Sequence, residues 1–359
     1  MHRGLSAFTT NTLKHITSKP IRFCSGWRLI TAFQISHQLA NRTASFHLTR
    51  RLYSYSHSPS TSATSSPSIA LSNEDMAPIP ALFSVPIGRD PNNPTAAPGG
   101  IICTQPAPLV YLLSFSSPPD NRLTAPFNTA FLLALDILEH RVPKGVIITT
   151  SSIPKFYSNG LDYDNAIKDP TFFSASLFPL WHRLLTYPMP TIALLNGHAF
   201  AGGFMLAMFH DYRVMNPHKG FLCLNELDFG AQLRPAMASI FRTKVSMSTF
   251  RNMVLESRRY PALEAMKEGL VDGLGSVGEC LAYINEYKLV DKAKSSSYGK
   301  LKEEIYREAV KDLREACEDG QFLAKLESQR DLQRGQLDVA ARQRVEMYER
   351  SIGRQRAKL

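Results

Sequence analysis

The sequence predicts an α/β fold with a mixed or parallel sheet, followed by an α-helical C-terminal section. Three observations carry that expectation. Between about residues 101 and 275, short apolar runs alternate with segments of helical apolar spacing. Turn clusters rich in Gly, Pro, Ser and Asn separate them. Beyond about residue 281 the sequence becomes charged and helix-forming, as in Glu303, Glu304, Arg307, Glu308 and Lys311.

The elements follow in order. Leu109 to Phe115 is a short apolar run, expected as a strand, and it ends in the turn cluster Ser116 to Asn121. Phe127 to His140 places Phe131, Leu132, Leu135 and Leu138 on one helical stripe. Val146-Ile147-Ile148 reads as a buried strand, and Ser174 to Tyr187 as a helix that stops before Pro188. Thr191 to Leu195 is a further strand, followed by a Gly-rich turn and the apolar helix Phe204 to Phe209. A short helix from Pro261 closes at Gly269, where glycine suits the position just past a helix end. The charged C-terminal helices show no internal repeat and no sustained heptad, and their charges read as a solvated face. This gives residues 1–75 as a transit-like or disordered N-terminal extension, 76–275 as the core and 276–359 as a helical C-terminal section.

Charge and cysteines exclude several classes. The chain carries 41 basic and 31 acidic residues. Eight of the basic ones precede the first acidic residue, Glu74, and setting them aside leaves 33 against 31. The body has no net basic character, so nucleic-acid binding loses its support. Five scattered cysteines without CxxC spacing suggest neither disulfides nor a zinc site, and fit a reducing compartment. No apolar run approaches a membrane span.

The ends read as addresses. The first 75 or so residues are rich in Ser, Thr and Arg and lack acid until Glu74, like a mitochondrial transit peptide. Arg51-Leu52-Tyr53-Ser54 resembles a matrix-protease cleavage site, and Met76-Ala77-Pro78 would serve as a shorter start. The last residues, Ala357-Lys358-Leu359, are a close variant of the Ser-Lys-Leu peroxisomal address, which would engage a peroxisomal import receptor. The expected location is the peroxisome, with the mitochondrion open through the extension.

Three segments carry chemistry. Lys155 to Asp162 (KFYSNGLD) follows a buried strand, and Gly160 lets the chain turn so that the next backbone N–H faces a cleft. Asn196 to Gly203 (NGHAFAGG) also follows a strand and opens a helix, whose free N–H groups favour negative charge. Two such amides would make an oxyanion hole for a thioester carbonyl. The third segment, Gly220 to Gly230 (GFLCLNELDFG), places Glu226 in an apolar, strand-like run. Burial there would raise its pKa toward useful base strength. Asp228 shares its strand parity, so it is either a neighbour in the site or, the favoured reading, a structural carboxylate. Phe221, Leu224 and Phe229, or their neighbours, are expected to keep Glu226 dry. His198 could touch ligand but reads as structural, and no metal cluster or phosphate loop is present.

In order and spacing, these segments resemble the enoyl-CoA hydratase/isomerase (crotonase) family over roughly residues 80 to 275. Asn121-Arg122-Leu123, Pro190 to Ala193, His210 to Arg213 and Gly269 to Asp272 support the resemblance. It implies a crotonase-like ββα spiral core with C-terminal helices that build trimers or hexamers. It also implies oxyanion-hole amides on Leu161 and Gly202, and an acyl-CoA along Ser158, Asn159, Gly160, Leu161 and Asp162, with Asn225 beside it. No separate cofactor is implied, because coenzyme A is part of the substrate, and the site needs no metal.

One departure narrows the reaction. Hydratases of the family carry a Glu where this chain has Met205, and a second one at the position of Glu226. Adding water needs two groups, whereas moving a double bond from C3 to C2 needs one base that takes a proton from C2 and returns it at C4. Leu224-Asn225-Glu226 is similar to the matching segment of Δ3,Δ2-enoyl-CoA isomerases, and Tyr157 to Gly160 resembles their peroxisomal and plant-like members. The expected function is therefore a Δ3,Δ2-enoyl-CoA isomerase of unsaturated fatty acid β-oxidation. The alternatives are another crotonase reaction, such as hydration or a secondary-metabolite step, and a non-catalytic subunit that binds acyl-CoA.

Overall fold

A computed structural model describes residues 79–89, 95, 97–318 and 322–356. The transit-like segment, Met76-Ala77-Pro78 and the tripeptide Ala357-Lys358-Leu359 lie outside them. The chain begins with β1 (Ala81–Ile87), β2 (Gly99–Ala107) and β3 (Val110–Ser116), then helix α1 (Ala125–Arg141). Next come β4 (Val146–Ser151), β5 (Phe156–Ser158), α2 (Tyr163–Ala166), α3 (Phe178–Leu185), β6 (Thr191–Leu195) and β7 (His198–Phe200). Helix α4 (Gly202–Met208), β8 (Tyr212–Met215), β9 (Leu222–Cys223), α5 (Pro235–Lys244), α6 (Met247–Leu255), α7 (Ala262–Lys267) and β10 (Gly273–Leu274) complete the core. Helices α8 (Val277–Glu286), α9 (Leu289–Ala293), α10 (Tyr298–Ile305), α11 (Arg307–Glu318) and α12 (Phe322–Arg356) form the C-terminal section.

The strands make two sheets. One has seven strands in the order β1-β2-β3-β4-β6-β8-β10, and the other has three, β5-β7-β9. The β1-β2-β3 edge is antiparallel and every pairing from β3 onward is parallel. All residues of β4 and β6 are buried, as in a parallel sheet covered on both faces. The core packs aromatic rings from distant elements, with Trp181 of α3 stacked on Phe209 at 4.8 Å.

The small sheet positions the site. Parallel pairing of β5 with β7 sets Phe156 opposite His198 and Ser158 opposite Ala199. Each of these strands runs straight into one of the Gly-rich turns. Their alignment therefore brings together two loops that are far apart in sequence.

Some elements differ from expectation. Leu109 is not in a strand; it turns the β2–β3 hairpin with φ 59°. The helix expected over Ser174–Tyr187 is a π-helical segment, Phe172–Leu177, followed by α3. Pro179 sits in the first turn of α3, and its missing N–H cannot continue a ladder from upstream, so the helix restarts there. The charged C-terminal helices are solvated as expected, apart from Lys302. That side chain is buried, pairs with buried Asp211 at 2.8 Å and donates to the Leu184 carbonyl, tying α10 to the core.

Candidate active site

The loop after β5 is held from one side by Asp120 to Leu123. Asn159 N donates to the Asp120 carbonyl, and its side-chain amide donates to Asp120 Oδ2 at 2.6 Å. Ser158 Oγ donates to the Asn121 carbonyl at 2.7 Å and accepts from Gly160 N. Arg122 donates to the Leu161 carbonyl at 2.8 Å.

Close backbone approach fixes the spacing of the two loops. Gly160 adopts φ +83°, and a Cβ there would lie 2.9 Å from the Phe200 carbonyl oxygen and 3.2 Å from Gly202 N. A Cβ on Gly203 would meet the Ser158 carbonyl oxygen at 2.3 Å, and one on Gly202 would sit 3.6 Å from Leu161 N. Ala201, with φ 47° and ψ −123°, holds a backbone shape uncommon for a residue with a side chain. Bonds from Ala201 N to the Cys223 carbonyl and from Met205 N to the Ala201 carbonyl pin it. The turn starts α4 with Gly202 as its first residue. Among the described residues, the N–H groups of Leu161 and Gly202 donate to no other backbone group. Two unspent donors thus stand side by side at a helix N-terminus, the arrangement that stabilises a developing oxyanion.

Glu226 shares their cleft, a cavity of about 720 Å³ that also contains Leu161, Gly202, Asn225 and Met205 among its lining residues. It does not lie in a strand. It begins a 3-10 turn, Glu226–Phe229, that ends on Gly230 at φ 74°. The strand parity expected to group Asp228 with it therefore does not exist, and Asp228 is exposed and outside the cleft. Glu226 is 8 % exposed, and its Oε2 has no hydrogen-bond partner. Burial pushes its pKa up to about 7 against the smaller, lowering effect of its own backbone N–H.

The expected shield is partly different. Leu224 is buried, but Phe221 is 39 % exposed and stacks on His198 instead of covering Glu226. Phe229 lines the cleft and meets Tyr163 edge-on, although it is 46 % exposed. Met205 and Met237 supply apolar wall. His198 sits among Phe156, Phe200 and Phe221, outside the cleft.

Of the substrate-binding residues expected from sequence, Asn159, Leu161, Asp162 and Asn225 line the cleft. Ser158 and Gly160 do not; they are spent on holding the loop. Tyr163, Gln232 and Met237 line it without having been expected, because no residue-type pattern marks them. Among the described residues, no cluster of His, Cys, Asp and Glu could hold a metal, and no helix is long and apolar enough to cross a membrane.

The raised pKa of Glu226 has a stability consequence with a definite sign. Between the ordinary carboxylate value of 4.5 and about 7, the folded state keeps a proton that the unfolded chain has lost. Stability contributed by this group is therefore present below pH 4.5 and declines up to about pH 7. Glu226→Gln removes that slope. Its stability relative to wild type should rise by up to about 3 kcal/mol between pH 5 and pH 8, read from urea unfolding at both values. An equal difference at both pH values would contradict the raised pKa.

A mixed sheet flanked by helices thus brings two close glycine turns and the buried, unbonded Glu226 Oε2 to one cleft, whose other buried carboxylate, Asp120, is bonded to Arg122 and Asn159. Residues 108–357 match the enoyl-CoA hydratase/isomerase family model, and the chain belongs to that family of enzymes. It is 35% identical over 175 residues to enoyl-CoA delta isomerase 1, peroxisomal, of Arabidopsis thaliana, covering 46% of this chain and 72% of that protein. Enoyl-CoA delta isomerase 3 of Arabidopsis thaliana is 29% identical over 212 residues, covering 55% of this chain and 89% of that one. The crystal structure of human mitochondrial delta3-delta2-enoyl-CoA isomerase shares the fold with a TM-score of 0.56 and 22% identity, covering 68% of this chain and 98% of that one.

Proposed function

We propose that the protein is a Δ3,Δ2-enoyl-CoA isomerase that converts 3-enoyl-CoA thioesters to the 2-trans isomers in unsaturated fatty acid β-oxidation. The observation that carries this reading is the buried Glu226, whose Oε2 has no hydrogen-bond partner, in one cleft with two free amides, with Met205 filling the place where a hydratase carries its other Glu. The thioester oxygen accepts from the Leu161 and Gly202 N–H groups, which lowers the cost of the enolate. Glu226 takes a proton from C2, leaving a dienolate, and returns it at C4. Its pKa near 7 suits a group that must both accept and release that proton. Asn159, Asp162 and Asn225 contact the bound thioester, while Ser158 and Gly160 act through the loop.

Coenzyme A enters as part of the substrate, and no further cofactor is required. Isomerase relatives named as peroxisomal and the terminal Ala357-Lys358-Leu359 support a peroxisomal enzyme recognised by an import receptor. Relatives named as mitochondrial keep the second address in play. Family membership supports assembly as a homotrimer or hexamer.

The test is a direct comparison of substrates with the purified full chain. Turnover of 3-enoyl-CoA should exceed hydration of 2-enoyl-CoA by at least about a hundredfold, the scale of one missing acid–base group. Met205→Glu should then gain measurable hydration. Equal rates on both substrates in the parent chain would reject the isomerase reading in favour of a hydratase.

A further inference from the structure

Outside the cleft lining, three buried polar side chains from three elements form one hydrogen-bonded line. Tyr157 of β5, Thr149 of β4 and His210, just past the end of α4, are each fully buried. Tyr157 Oη lies 3.0 Å from Thr149 Oγ1, which lies 2.9 Å from His210 Nε2; His210 Nδ1 lies 3.0 Å from the Leu206 carbonyl oxygen. A carbonyl can only accept, so Nδ1 carries the proton. Burial keeps the ring neutral, with its pKa pushed down to about 3, which leaves Nε2 as an acceptor. Thr149 must then donate to His210, and with its only proton committed it accepts from Tyr157. One helix carbonyl sets the direction of the whole line.

The placement of its ends links it to the site. Tyr157 immediately precedes Ser158, whose hydroxyl accepts from Gly160 N, and Leu161 follows. Leu206 and His210 lie at the C-terminal end of α4, whose first residue is Gly202. Thr149 sits mid-sheet, paired with Leu113 on one side and Ala193 on the other. Both amide-bearing elements are thereby pinned to one central strand. Apolar side chains would fill this space at lower desolvation cost, but they would not fix distances with directional bonds.

We propose that Tyr157, Thr149 and His210 are positioning residues that set the spacing of the Leu161 and Gly202 amides. The inference rests on the oxyanion-hole reading of those amides, and its test separates the two. The full chain is titrated with acetoacetyl-CoA, which ionises to an enolate, and with saturated butyryl-CoA, following heat and the absorbance of bound enolate. Wild type should prefer the enolisable ligand. Thr149→Val should lose about tenfold or more of that preference, as expected for donors displaced by a fraction of an ångström, with butyryl-CoA affinity nearly unchanged. Thr149→Ser should restore the preference. Tyr157→Phe removes one hydroxyl and spares the Thr149–His210 bond, so it should show a smaller loss in the same direction even if Thr149→Val does not fold. Full preference in a folded Thr149→Val or Tyr157→Phe protein, or equal weakening of both ligands, would overturn the proposal. No preference in wild type would remove the oxyanion hole itself, and the positioning role with it.

Discussion

Glu226→Gln is expected to lower kcat on a 3-enoyl-CoA by about 10²–10⁴-fold, the usual contribution of a positioned acid–base group. The amide fills the same volume at the head of the 3-10 turn but can neither take the C2 proton nor deliver one to C4. Its KM should change little, because in the proposed mechanism the Leu161 and Gly202 amides hold the thioester. The wild-type rate should rise with pH through about 7, as the buried carboxyl ionises, and the variant should lack that limb. Retention of more than about a tenth of the rate would place the base elsewhere, with the other cleft carboxylates, Asp120, Asp162 and Asp164, next in line.

Gly160→Ala is the second large effect. The added methyl meets the Phe200 carbonyl oxygen at 2.9 Å and Gly202 N at 3.2 Å, at a φ of +83° that alanine resists. Neither atom is the tip of a flexible side chain, so the loops must separate and the two amides cease to converge. Loss of one such donor typically removes about 10²–10³ in kcat, which is the expected decrease. Gly230→Ala is the control, since a Cβ there meets nothing within 4 Å although its φ is +74°. It carries similar backbone strain without moving the oxyanion loop, so it should spare most of the rate. Equal losses in both variants would point to general destabilisation instead of amide geometry.

The contrast between these glycines shows what the sequence could reveal. The glycine turns and Glu226 stand out in the sequence as unusual residue types, glycine where main chains nearly touch and a carboxylate among apolar neighbours, whereas Leu161 and Gly202 were singled out by the family resemblance; the fold brings Leu161, Gly202 and Glu226 to one cleft. The β5–β7 pairing brings the two glycine turns together, and the β7–β9 pairing adds the segment that carries Glu226. Other parts leave no such mark. Ser158 looks like a ligand contact in sequence, yet its hydroxyl is spent on the Asn121 carbonyl. Strand parity does not apply at Asp228, because a 3-10 turn replaces the strand after Cys223, although Asp228 lies outside the cleft. β1, with most of its residues exposed at a sheet edge, offers no buried run to recognise. Met237 reaches the cleft from α5, where its apolar side chain looks like any core residue. Pro179 was visible within the predicted helix, but only the fold shows that a π-helical segment leads into the new start.

The most direct test of a single carboxyl group moving one proton between two carbons is isotopic. A 3-enoyl-CoA carrying deuterium at both C2 positions is turned over once in ordinary water, and the 2-enoyl product is analysed at C4. Glu226 is 8 % exposed and its Oε2 has no partner to pass a proton to, so product bearing deuterium at C4 is expected. Product with only solvent hydrogen at C4 after a single turnover would contradict a one-base shuttle.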